Sequence, residues 1–181
     1  MKSLIKSIFN ALKIISLNIF SYNKINKTAS IHLKAIINSS SVGDYTYVGP
    51  NAVINNTIIG NYCSIAPNVV IGGMEHDYTN YSTSTFLCAP VRSSPTHILD
   101  DVWIGTGVYV RAGIKLGKGC VIGSNSTVLS DVPPLAIVVG SPAKIVKYRF
   151  SDEEKINFHS ELDFTLSKSE IKSKIDSRSL N

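Results

Sequence analysis

Residues 72–78 read Gly-Gly-Met-Glu-His-Asp-Tyr, which sets an imidazole between two carboxylates just after a glycine pair. Histidine titrates near neutrality when unperturbed, so His76 is suited to take and return a proton as a general base. Glu75 and Asp77 are candidates to orient that imidazole or to bind a polar acceptor, and two solvated carboxylates fit the same spacing. Tyr78, Tyr81 and Phe86 follow, able to wall an acceptor or simply to pack within the segment. For His76 itself a solvated loop histidine is the plain alternative, and the residues alone leave both readings open. Metal chemistry fits poorly. His32, His76 and His97 do not have the spacing of a converging zinc set, and no CxxC or Cys/His pair supplies one. No metal is expected. Cys63, Cys88 and Cys120 make no disulfide framework, which points to a reducing, cytoplasmic setting.

The elements that must position His76 show in a six-residue beat. Ile98, Ile104, Val110, Leu116, Ile122 and Val128 are all aliphatic. In a chain that is 44% hydrophobic, chance gives six such hits in a given frame roughly 1% of the time. Glycine follows at Gly105, Gly117 and Gly123. Neither a helical period nor plain alternation produces this pattern, whereas a solenoid of short strands and turns does. Two residues before each frame position lie Thr96, Val102, Val108, Ile114, Cys120 and Ser126, small or β-branched as a narrow interior requires. A rougher block precedes it, with a frame at Ile36, Val42, Val48, Val53, Ile59, Ile65 and Ile71 and one shortened step from Val48 to Val53. The beat breaks only between Ile71 and Ile98. That break contains His76, and a long insertion in a regular array is where function concentrates. His97 precedes a frame residue and is expected to face outward.

Three parts follow: a helical arm over 1–30, a solenoid over 31–150 with an insertion at 73–97, and a helix and tail over 151–181. In the arm, Leu4, Ile5, Ile8, Phe9, Leu12, Ile15 and Ile19 share a helical face, with Lys2, Lys6 and Lys13 towards the other side. Lys13 and the lack of a small-residue cleavage site argue against a signal peptide, and the segment is too short and charged to span a bilayer. The apolar face packs on the solenoid end or another subunit, or residues 1–28 lie on an anionic membrane. Net charge is +6 over 1–41, +1 over 42–150 and −2 beyond, which sums to the chain's +5. A near-neutral body excludes a nucleic-acid groove there. Residues 131–147 are expected to close the stack. Ser151 to Glu154 read as a capping box opening a helix at Asp152, and Ile171 and Ile175 mark a second one.

Four motifs carry a family resemblance: D-V-W-I-G at Asp101 to Gly105, R-A-G-I-K-L-G at Arg111 to Gly117, D-V-P-P at Asp131 to Pro134 and G-S-P-A-K at Gly140 to Lys144. With Gly72 to His76, they make the stretch 36–150 resemble the hexapeptide-repeat acyltransferases, in the branch that acetylates sugars and xenobiotics. The resemblance implies a mainly β fold, a left-handed parallel β-helix whose coils are three hexads long. It implies acetyl transfer from acetyl-CoA to a hydroxyl, a surface-polysaccharide sugar being the favoured acceptor and an antibiotic the other. His76 takes the place of the family's catalytic histidine. Trp103 matches a tryptophan of the CoA groove, while Thr106, Gly123 and Ser124 match contacts to the pantetheine arm. Amide donors near Gly105 and Thr106 are candidates to hold the thioester oxygen. Lys147 falls near the nucleotide phosphates, with Lys144 and Arg149 as further cations. A Thr-Lys pair of the family is Leu129-Ser130 here, which removes one cationic contact. The resemblance also implies a homotrimer with sites between subunits. Because folds host unrelated functions, a non-catalytic scaffold or binding module is the alternative of another class.

Overall fold

The structure is a computed structural model, and it describes residues 8–16, 22–73, 75–89 and 94–179. Among the described residues, sixteen short strands wind into a left-handed parallel β-helix of about 6 turns, and a seventeenth pairs antiparallel at its end. Its first face stacks β1 (Lys24–Ile25), β4 (Ser41–Val42), β7 (Thr57–Ile59), β10 (Thr96–Ile98) and β13 (Lys115–Leu116). The second stacks β2 (Ser30–Ile31), β5 (Tyr47–Val48), β8 (Ser64–Ile65), β11 (Trp103–Ile104), β14 (Val121–Ile122) and β16 (Ala136–Val139), with β17 (Lys144–Tyr148) antiparallel at its edge. The third stacks β3 (Ile36–Asn38), β6 (Val53–Asn55), β9 (Val70–Gly73), β12 (Tyr109–Arg111) and β15 (Thr127–Val128). Each wound strand from β1 to β15 places an aliphatic residue inward and its neighbour outward, so two- and three-residue strands suffice once neighbouring coils supply their hydrogen bonds.

The frame from Ile98 to Val128 is buried throughout, as are its small partners Thr96, Val102, Val108, Ile114, Cys120 and Ser126. His97 faces outward. In the earlier coils the frame differs from the sequence reading. Ile37 and Ile54 are the inward residues, 1% and 0% exposed, while Ile36 is 53% exposed and Val53 lies partly outward. Two shortened steps result, Ile37 to Val42 and Ile54 to Ile59, and the step from Val48 to Ile54 is a full one. The register confirms it, since Ile25 pairs with Val42, Val42 with Ile59, Ile98 with Leu116. The early coils are thus 17 residues long and the late ones 18.

A helix over 8–16, α1, lies against the N-terminal end of the winding. Ile14 joins the core, and Asn10 bonds both Ala29 O and Ile31 N at the edge of β2. The expected apolar face is not the one that packs: Ile8, Phe9, Leu12 and Ile15 point away. Leu4, Ile5, Ile19, Lys2 and Lys6 fall outside the described residues. At the other end, β16 and β17 form a hairpin over the last coil. Then α2 (Glu153–Glu161) starts at the cap Asp152, whose side chain accepts from Glu154 N, and α3 (Lys168–Ser179) returns. Leu162, Phe164 and Ile171 make a small satellite core there, against Tyr62 of the solenoid.

Candidate functional site

His76 stands three residues after β9, where the third face would turn onto the first. Gly72 makes that exit possible. Its φ is +69°, and a Cβ there would sit 2.0 Å from Asn55 O, so no side chain can be carried past the coil below. The His76 imidazole is exposed, and its Nδ1 lies 2.5 Å from Thr83 O. A carbonyl oxygen only accepts, so Nδ1 must carry the hydrogen. In the neutral ring that leaves Nε2 with its lone pair outward, the form a general base needs.

The neighbouring carboxylates have other engagements. Glu75 Oε1 is 3.8 Å from Arg111 Nε, an exposed pair tying the loop root to β12. Asp77 Oδ1 accepts from Thr79 N at 2.9 Å and Thr79 Oγ1 at 2.6 Å. Those Thr79 hydrogen bonds hold the Asp77 carboxyl below its usual range. Tyr78, Tyr81 and Phe86 are almost wholly exposed in the single chain, so they form no internal wall.

The residues matched to a CoA groove gather elsewhere. Trp103 projects from the second face, 56% exposed. Register puts it in one outward row with Val121, Ile137 and Lys147. That row spans three strand spacings, about 14 Å. Lys144 is exposed on the same hairpin and borders a cavity of about 330 Å³ with Ser130, Asp131 and Ala143. Gly105-Thr106 and Gly123-Ser124 are stacked corners between the second and third faces. Asn125 N donates to Thr106 O at 2.8 Å, and a Cβ on Gly105 would meet Ser124 N at 2.7 Å. Thr106 and Ser124 are exposed there.

Two expectations change. The Gly105 N–H donates to Ile122 O at 2.8 Å, so the ladder uses it and it cannot hold a thioester oxygen. Arg149 does not reach towards a phosphate either. Its Nη1 donates to Asp101 Oδ2 at 2.7 Å and to Gly119 O at 2.9 Å. His159 Nε2 meets the same Asp101 Oδ2 at 2.8 Å, and its ring is buried. This Asp101–Arg149–His159 cluster was missed from sequence. Its members are 48 and 58 residues apart and share no spacing signal.

The two groups of candidate residues lie apart on one chain. The prism edge carrying His76 is opposite the second face, which carries Trp103 and Lys147.

The sequence matches the family described as "Bacterial transferase hexapeptide (six repeats)" over residues 39–73 and 95–130. A chloramphenicol acetyltransferase of Morganella morganii is 55% identical over 71 residues, 39% of this chain and 34% of that protein. The chain thus spans about a third of the length of this and two further chloramphenicol acetyltransferases that it matches. Among solved structures, a hexapeptide-repeat acetyltransferase of Vibrio cholerae complexed with acetyl-CoA shares 25% identity and superposes with a TM-score of 0.67, over 78% of each chain. A maltose O-acetyltransferase of Clostridium difficile shares 26%, with a TM-score of 0.59, over 72% of this chain and 70% of that one.

Proposed function

Since the chain belongs to the bacterial transferases built on hexapeptide repeats, we propose that it transfers acetyl from acetyl-CoA to a sugar hydroxyl, in particular one of a bacterial surface polysaccharide. The carrying observation is the His76–Thr83 contact, which leaves Nε2 as a proton acceptor at the base of the long insertion after β9. In the reaction, His76 Nε2 takes the acceptor's hydroxyl proton as its oxygen bonds to the thioester carbonyl carbon. The C–S bond breaks, and the proton passes from Nε2 to the departing thiolate. The acetyl-CoA complex of the Vibrio cholerae relative supports the donor, and the maltose O-acetyltransferase supports a sugar acceptor.

The outward row suits the donor's chemistry. Trp103, Val121 and Ile137 offer an apolar track and Lys147 a cation at its end, in reach of pantetheine and phosphate groups. Thr106 and Ser124 add hydroxyls at the adjoining corner. In this reading Glu75 and Asp77 shape the acceptor side through the turns they stabilise, and Tyr78 and Tyr81 meet the acceptor or a neighbouring chain. Because His76 and Trp103 lie on opposite sides of one prism, a complete site needs the edge of one copy against the second face of the next. That contact is head-to-tail, and it closes as a threefold ring. A homotrimer is thus part of the proposal. Acetyl-CoA dependence and three unpaired cysteines favour a cytoplasmic location.

A second reading has its own support. The identity to chloramphenicol acetyltransferase over 71 residues favours a xenobiotic hydroxyl as acceptor. Thiol release from acetyl-CoA, measured against a panel of sugars and antibiotics, separates the two. His76→Ala is expected to lower kcat by about 10²–10⁴. Full activity in that variant removes His76 from the role of base. No turnover with any acceptor, and no thermal protection by CoA, returns the chain to a scaffold role.

A further inference from the structure

Helix α1 leaves its more apolar side uncovered. Asn10, Lys13 and Ile14 face the solenoid, Asn10 and Lys13 bonding carbonyls of Ala29 and His32. Ile8, Phe9, Leu12 and Ile15 remain 52%, 60%, 58% and 54% exposed. They recur at helical spacing, so they form one continuous stripe. Leu33, in the corner next to His32 at the same end of the winding, is also exposed. A contiguous apolar stripe on a surface helix marks a docking site.

Charge says what covers it. The first 41 residues hold six lysines and no acid. Lys13, Lys24, Lys27 and Lys34 lie at this end of the winding, all but the half-buried Lys13 exposed. The nearest acid in sequence, Asp44, is occupied by Asn26 and Thr28. A second copy docking through this same end would set lysines against lysines. An anionic lipid surface gains from each of them while its acyl boundary receives the stripe. We propose that the N-terminal end of the β-helix docks on an anionic membrane surface, with Ile8, Phe9, Leu12 and Ile15 inserted at the headgroup boundary. The contact is peripheral, since no described helix is long and apolar enough to cross a membrane. In a threefold ring the symmetry sets three copies of α1 at one height, which multiplies a weak contact into a firm one. The docking does not rest on the acetyl-transfer reading, and its test needs no substrate.

The test is co-sedimentation of the full chain with vesicles of phosphatidylcholine alone and of phosphatidylcholine with about one-third phosphatidylglycerol. The wild-type chain is expected to pellet with the anionic vesicles only, less so as salt rises. Phe9→Glu with Leu12→Glu is expected to weaken partition at least about tenfold while the oligomeric mass stays unchanged. Phe9→Ser with Leu12→Ser, matched in melting temperature to the wild type, repeats the result without added charge. Three results overturn the proposal: no pelleting of the wild type, equal pelleting of the variants, or a loss of oligomeric mass in the variants, which assigns the stripe to a second copy.

Discussion

Asp101 is where the C-terminal helices are latched to the winding, and Asp101→Asn tests that latch. The substitution keeps the size, removes the charge, and turns an amide towards two donors. Oδ2 currently accepts from Arg149 at 2.7 Å and His159 at 2.8 Å. The Asp101 and Arg149 side chains are 29% and 26% exposed. The loss therefore falls between an exposed pair, up to about 1 kcal/mol, and a fully buried one, about 3–5 kcal/mol. We expect about 2–3 kcal/mol, which for a domain of this size lowers Tm by roughly 4–12 °C. Burial pushes the Asp101 carboxyl up, but hydrogen bonds from His159 and Arg149, with the Arg149 charge, outweigh it and hold it below the ordinary range. A carboxylate depressed in the folded state stabilises it above the unfolded pKa, about 3.9, and loses that contribution as pH falls through the folded value. The difference between wild type and variant is thus full at pH 6 and shrinks below about pH 4. Denaturant titrations at fixed protein concentration read it. Arg149 also follows directly on the strand that bears Lys147, so KM for acetyl-CoA is expected to rise more than kcat falls. Equal midpoints at pH 7, or a difference that persists undiminished at pH 3, would refute the reasoning.

Mixing His76→Ala with Trp103→Ala chains before assembly should restore activity that neither variant has alone, since about a quarter of the interfaces in a random ring pair an intact edge with an intact face. Gly119→Ala should cost about 2–4 kcal/mol, because φ is +70° and the new Cβ lies 2.5 Å from His159 Cε1. Gly113→Ala, at φ +77° where the new Cβ would lie 3.6 Å from Ser94 O, should cost only about 1–2 kcal/mol, and the difference in unfolding midpoint isolates the clash. Burial pushes the Cys63 and Cys120 thiols up to about 12, so at pH 8 a thiol reagent should modify only Cys88 quickly and all three once the chain is unfolded.

The late coils were legible because their frame residues are single aliphatics beside glycine. Ile104, for example, precedes Gly105 and follows an outward Trp103. The early coils offered doublets instead. Ile36-Ile37 and Val53-Ile54 supply an apolar residue in either phase, and only stacking against the neighbouring coil selects the second of each. In α1 the periodicity identified the helix but not the side that packs. The open edge of β2 needed polar partners, and Asn10 supplied both a donor and an acceptor. For the candidate site, His76 stands out by its local motif, because the insertion interrupts a regular beat. The Asp101–Arg149–His159 latch had no such signal, since a tertiary contact between a corner, a strand end and a helix leaves no period in sequence.

The irregular steps share one location. Six residues separate inward positions at every turn from the first face to the second and from the second to the third, from Ile25 to Val128. From the third face to the first, the steps are five from Ile37 to Val42 and five from Ile54 to Ile59. The next, from Ile71 to Ile98, is 27, and only the step from Val110 to Leu116 is six. The last, from Val128 to Val132, is four, and Val132 still bridges Leu116. Strand register survives these changes because it is set coil against coil: Ile59 pairs with Ile98 as squarely as with Val42. One edge of the prism thus absorbs every change in length, while the other two keep the faces aligned. Relative to a five-residue corner, the insertion adds 27 − 5 = 22 residues at that tolerant edge. An arm can be long there without disturbing the face that carries Trp103 and Lys147. The same geometry puts that arm on the far side of its own prism from the face it must serve. In the proposed site a neighbouring copy supplies that face, because His76, three residues past β9, leaves from the edge opposite it.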